Sequence, residues 1–165
     1  HRRHALWRLA LFQILSFSAL CVIYSETSYG FLSEKRSFEK LCILSNVNTH
    51  KFKVEIAATQ EKHQKGLMYR QELPADRGLL FIFATPAKIR MWMKNTFISL
   101  DMIFINKSGQ IIDVVEKTVP HSTKVIVSKV PVIAVLEVNG GTVEHLKINI
   151  GDVVEHQFFN KKPVC

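Results

Sequence analysis

The sequence predicts a mainly β domain, a sandwich or barrel-like sheet carrying one or two short helices. Three observations carry that prediction. Short apolar runs recur along the chain between turn residues, the spacing of a many-stranded sheet. FKVEIA alternates Phe52, Val54 and Ile56 against Lys53 and Glu55, the period of a strand with one buried face. NKSG, Asn106 to Gly109, lies between two apolar runs as a hairpin loop with Gly109 set for positive φ. With 165 residues and 47% hydrophobic content, the chain suffices for one packed domain and is short for two.

The first 30 residues differ in kind. HRRHALWR is basic, Leu9 to Tyr24 is apolar and SETSYG is small and polar, the layout of a signal peptide. The apolar part is shorter than the ~20 residues that span a bilayer as a helix, and Ser28 and Gly30 fit a cut after Gly30. An uncleaved signal anchor is the alternative. The domain is therefore expected in the periplasm or cell envelope, touching a membrane only through this segment. Residues 31–51 lack a clear period and read as a leader, residues 52–159 as the domain, and residues 160–165 as a tail.

Within the domain, Thr59 offers a helix N-cap with Glu61 in the first turn, and QEKHQKGLMYR follows as a short helix. Gly66 inside it means either that the helix stops there or that a neighbour packs closely. After ELPADRG, GLLFIF reads as a buried strand broken by Thr85 and Pro86, with a further strand over Ile89 to Lys94. DMIFI and QIIDVV flank the hairpin loop. VIAVLEV is the next strand, NGG a turn, Thr142 to Leu146 a helical turn and GDVVEHQF the last strand.

The formal charge is +8, of which the first 30 residues contribute +2 through Arg2, Arg3 and Arg8 against Glu26. No run of clustered Lys and Arg interleaves with aromatics, so no nucleic-acid partner is expected, and the excess charge serves solubility. Beyond Cys21 in the signal only Cys42 and Cys165 remain, and in an exported domain this pair is a candidate disulfide. No CxxC, HExxH, P-loop, GxGxxG or GxSxG occurs, so neither a metal nor a cofactor is expected. The histidines His63, His121, His145 and His156 show no ligand spacing and read as surface residues.

The polar groups inside apolar runs are the candidate ligand-binding residues: Arg70, Trp92, Lys94, Asn95, Asp101, Glu137 and Asn139. In MWMKNTFISLD, a strand would set Trp92 and Lys94 on one face and Met91, Met93 and Asn95 on the other. Glu137 is the sole charge in VIAVLEV, so it should be largely buried and should find a cation among Arg70, Arg90 and Lys94. The same cluster reads equally as an internal network that fixes strand register, Trp92 as core filling, and Asn95 and Asn139 as turn formers. Asp101 and Glu137 together could supply an acid and a base if the fold brought them to one place.

GLMYR, GLLFIF, MWMKNTFISLDMIFI, SGQII, VLEVNGG and INIGD, in this order and spacing, resemble the DUF192 family over roughly Val54 to Val154. The resemblance implies a mainly β, sandwich-like fold, often behind a signal peptide, with no established activity, substrate or cofactor. Leu79 stands where the family commonly has Met, and LEVNGG replaces LELNAG, neither change removing a polar group. Whether the protein is an enzyme stays open. The first expectation is a periplasmic or envelope binding or accessory module for a small polar or glycan-like ligand. A structural or protein-interaction domain, its protein partner unknown, comes second, and a carboxylate-dependent hydrolase third.

Overall fold

A computed structural model describes residues 36–165; the expected signal segment and the first residues of the expected leader lie outside the described residues. The chain runs through β1 (Glu39–Leu44), β2 (Thr49–Ala57), α1 (Gln60–Lys65), β3 (Arg77–Ala87), β4 (Arg90–Met91), β5 (Leu100–Ile105) and β6 (Ile111–Val115). It continues through β7 (Ile126–Val127), β8 (Val132–Asn139), α2 (Thr142–Leu146), β9 (Val153–Glu155) and a 3-10 turn at Gln157–Phe159. Seven strands form one sheet in the order β6-β5-β8-β3-β2-β1-β9, and β4 pairs with β7 as a separate two-stranded flap.

The sheet curls into a half-barrel. A bridge pairs Gln110 with Val153, and backbone bonds from Ile111 N–H to Asp152 O at 2.9 Å and Val154 N–H to Gly109 O at 2.7 Å tie β9 to the start of β6. The hairpin loop feeding β6 closes with Gly109 at φ 78°. Its residues join the barrel's two edges, which leaves less unpaired strand edge.

Alternation divides the apolar residues between the two faces. Leu41, Ile43, Phe52, Val54, Leu80, Ile103, Ile105, Ile111, Leu136, Val138 and Val154 come from all seven strands and fill the enclosed face, capped by Val143 of α2 and by Phe159. On the opposite face Ala57, Leu79, Phe81, Met102, Phe104 and Val135 form a second core under Leu67, Leu73, Met91 and Met93.

That second layer follows from one strand pair. Every pairing in the large sheet is antiparallel except β2 with β3, and a parallel pair requires a crossover that passes over one face. Residues 58–76, containing α1, supply it. The flap is pinned by a side chain that stands in for a strand partner, Ser128 Oγ accepting from Ile89 N–H at 2.9 Å, and at the start of β5 Thr118 Oγ1 likewise accepts from Leu100 N–H at 3.0 Å.

Several boundaries differ from those read in the sequence. Residues 39–44, assigned to the leader, form a buried strand between β2 and β9, because Leu41 and Ile43 face the enclosed core while Cys42 faces out to the tail. Thr85 and Pro86 do not end β3. They sit in its exposed last turn of residues, where the register against β8 shifts between Ile82 and Ala87 and a missing N–H costs nothing. The strand expected over Ile89 to Lys94 shrinks to two residues, and the last strand to three. Cys42 and Cys165 are disulfide-bonded, closing a sequence separation of 123 residues and holding the tail on β1.

Candidate functional site

Glu55, Leu79, Glu137 and Met102 stand in one row across β2, β3, β8 and β5, all on the face covered by the crossover. Two carboxylates therefore lie under the loop that follows α1. Thr59 Oγ1 caps α1 by accepting from Lys62 N–H at 3.2 Å, and the helix stops at Lys65. Gly66 ends it with φ 47°, and a Cβ there would lie 3.3 Å from the Phe81 ring. Both readings of this glycine hold at once. The tight ending lets Leu67 to Arg70 descend onto the sheet.

Arg70 then reaches Glu55. Its two terminal nitrogens donate to the two carboxylate oxygens at 2.6 and 2.8 Å, a bidentate pair that is mostly buried. Glu137 receives no such partner. It is 4% exposed, and none of the described residues donates a hydrogen bond to its carboxyl group. The cation expected for it is spent on Glu55, which alternation had assigned to a solvated face. Burial pushes the Glu137 carboxyl up to about 8, opposed only in part by the Arg70 charge.

Glu137 opens onto a cleft of about 60 Å³ walled by Gly66, Leu67, Met68, Phe81, Met91, Trp92 and Thr96, with His63, Lys65 and Arg90 at its sides. His63 is half-buried: its Nε2 lies 2.9 Å from Ala57 O and 3.0 Å from Ile82 O, two acceptors that require the proton on that nitrogen. Trp92 is 46% exposed, which removes it from the core, and Lys94 Nζ sits 5.2 Å from its ring. The predicted alternation survives in burial, Met91 and Met93 turning in while Trp92 and Lys94 turn out. Arg90, Met91 and Trp92 continue into a second groove of about 310 Å³ with Val125.

The remaining candidates bond within the fold. Asn95, at φ 54°, closes the turn after Lys94 and donates from Nδ2 to Tyr69 Oη at 2.9 Å, while Tyr69 N–H donates to Asn95 O at 2.9 Å. Asn139 Nδ2 donates to Leu73 O and so anchors the crossover loop. Asp101 is fully buried on the other face of the sheet, opposite Val138 in register. Its carboxylate accepts from Lys117 N–H at 2.7 Å, Gly141 N–H at 3.0 Å and Val143 N–H at 2.8 Å, capping α2. Asp101 and Glu137 are thus not an acid and base facing one substrate.

The structure adds Glu55, His63, Met68, Phe81 and Thr96 to the site. The basic end of GLMYR was the available signal for Glu55, since a buried guanidinium implies a carboxylate nearby. His156 is also buried, not on the surface. Its Nδ1 accepts from Phe158 N–H at 3.2 Å, its Nε2 lies 3.0 Å from Glu39 Oε2, and burial holds its pKa below the usual value. Among the described residues no three His, Cys, Asp or Glu side chains gather as a metal site, and no helix is long and apolar enough to cross a membrane.

A family model for DUF192, described as an uncharacterized ACR, matches residues 43–156. Among solved structures, the chain is similar to a "putative transcription regulator" from Sinorhizobium meliloti 1021, at 40% identity and a TM-score of 0.73, over 74% of this chain and 96% of that one. It is also similar to a protein of unknown function from Novosphingobium aromaticivorans DSM 12444, at 34% identity and a TM-score of 0.71, over 72% of this chain and 85% of that one. No curated protein matches it.

Proposed function

The chain belongs to the DUF192 family, whose function is unknown, and from that premise we propose that its domain is a binding or accessory module for a small polar ligand seated in the Glu137 cleft. One observation carries the reading: a carboxyl group buried on the sheet, without a donor among the described residues, faces a cleft lined by an exposed indole. Burying such a group without a partner costs stability, so a fold that keeps it is explained by a ligand that supplies the partner. The register network expected as the alternative describes Asn95, Asp101 and Asn139, whose bonds all run to backbone or to neighbouring side chains.

Export to the periplasm or cell envelope belongs to the same proposal. It is supported by the disulfide between Cys42 and Cys165, a bond that persists in oxidising compartments, together with the N-terminal pattern of charge and apolarity. Mass spectrometry of the exported protein should find an N-terminus near Phe31. A mature chain that retains residues 1–30 in a reducing cytoplasm would refute this assignment.

Ligand binding is tested on the full chain carrying Trp7→Phe, which leaves Trp92 as the one tryptophan. Glycans, peptidoglycan fragments, small anions and amino compounds are screened for a raised melting temperature and a change in Trp92 emission. A ligand of this site produces both, because binding to the native state stabilises it by mass action and the indole lines the cleft. A screen in which nothing moves either signal overturns the reading.

A further inference from the structure

Deepening that reading, on which it rests, we propose that the group received beside Glu137 is an ammonium and that the ligand is a small zwitterionic amine of the amino-acid kind. The charge pattern comes first. Glu55 and Arg70 neutralise each other through two short bonds, so the guanidinium that might have answered Glu137 is already committed. Glu137 is 4% exposed and faces the cleft with no donor from the described residues. Its carboxyl becomes one half of an ion pair when a ligand's ammonium arrives and its proton leaves to solvent, and the other half is one the described chain does not provide.

The cleft wall selects the form of that partner. Trp92 and Phe81 offer aromatic surface, and Met68 and Met91 offer thioethers, all polarizable neighbours suited to an alkylammonium. The cleft, of about 60 Å³, has room beside Glu137 for an amino group and its adjoining carbon. With an ammonium as the partner of Glu137, the expectation of a glycan-like ligand narrows to an amino sugar or gives way to a simpler amine.

The surroundings explain why a plain amine is a poorer fit. The charged or titratable groups around Glu137 are Glu55 on β2, Arg70 and Lys65 on the crossover, His63 on α1 and Arg90 on β4. Lys65 and Arg90 are exposed at the cleft and repel a bare cation. A ligand with a carboxylate next to its amine meets these two with the opposite sign. The groove of about 310 Å³ beyond Arg90 and Trp92 leaves room for the ligand's side chain.

The test uses the full chain with Trp7→Phe and a matched series: L-methionine, L-leucine, L-phenylalanine and L-lysine, each with its N-acetyl derivative and its amide. Affinity is read from Trp92 emission and checked by melting temperature. At least one free amino acid should bind, its amide at least several-fold more weakly, and its N-acetyl derivative at least ten-fold more weakly. Glu137→Gln should lose at least ten-fold in affinity for the amino acid, and Arg90→Gln should abolish the preference for acid over amide. The comparison on unaltered Glu137 needs no variant to fold. An N-acetyl derivative that binds as well as its parent overturns the ammonium, and a glycan or anion from the wider screen that binds when the series does not overturns the ligand class; both leave the cleft as a binding site. Silence from every compound overturns the inference and the proposed function together.

Discussion

Replacing Glu137 by Gln should change the stability of the domain in a pH-dependent way. Burial pushes this carboxyl from its ordinary 4.5 up to about 8, with the nearby Arg70 charge pulling the other way. Because the folded-state pKa is raised, the stabilising contribution is whole below pH 4.5 and is lost as pH rises through 8. The full span corresponds to about 5 kcal/mol, and about 4 kcal/mol of it is lost between pH 5 and pH 9. At ~3–4 °C per kcal/mol for a domain of this size, the variant's melting temperature should gain roughly 10–15 °C on the parent across that range. The assay is a set of thermal or urea melts of both chains from pH 5 to 9, the difference at each pH being the quantity of interest. Every other titrating group is common to the two chains and cancels. Curves that stay parallel within ~1 kcal/mol would mean that Glu137 titrates as an ordinary carboxylate, and the buried, unpartnered site would be refuted.

Asp101→Asn should destabilise by ~2–4 kcal/mol, since an amide cannot accept three backbone N–H groups as a carboxylate does; an unchanged melt would remove Asp101 from the capping of α2. Arg70→Met should cost about 3 kcal/mol by stranding Glu55, and should also move the Glu137 titration to still higher pH, a shift readable by NMR of the carboxyl group. Cys165→Ser should lower stability by ~3–5 kcal/mol through release of a long loop, and the parent in reducing agent should match the variant in a urea melt. His156 has its pKa pushed below the ordinary 6.5 by burial, with Glu39 opposing, so its contribution is present above pH 6.5 and lost as pH falls below it. His156→Gln should therefore flatten the acid arm of the stability profile between pH 6.5 and 5; an unaltered arm would assign acid loss to other groups.

The strands with strict period or dense apolar runs were legible because burial on one or both faces leaves a pattern in composition. β2, β5, β6 and β8 fall within a few residues of where FKVEIA, DMIFI, QIIDVV and VIAVLEV set them. β1 was missed because its alternation hides behind Cys42, which is buried on the outward face and so breaks the expected polar beat of EKLCIL. β4 and β7 hold only two residues each, and the Ser128 side chain on Ile89 N–H completes the flap's bonding, a tertiary effect with no local signature.

For the site, the burial of Glu137 could be read from its apolar neighbours, whereas its lack of a cation could not. That outcome depends on which carboxylate Arg70 reaches, and the parallel β2–β3 crossover decides it by carrying the arginine over β2. The separation of Asp101 from Glu137 follows from register alone: Met102, not Asp101, stands opposite Glu137. A sequence shows which residues alternate along one strand but not which strands become neighbours.

The cross-link between Cys42 and Cys165 makes the domain a covalent ring. A protease that cuts one exposed loop between these residues opens the ring without releasing a piece. The nicked chain keeps its mass on a non-reducing gel and separates into two fragments only after reduction. A single cut in the loop after α1, beside the cleft, therefore leaves the strands on either side of it tethered. Clipping would then change access to Glu137 before it cost the protein its fold.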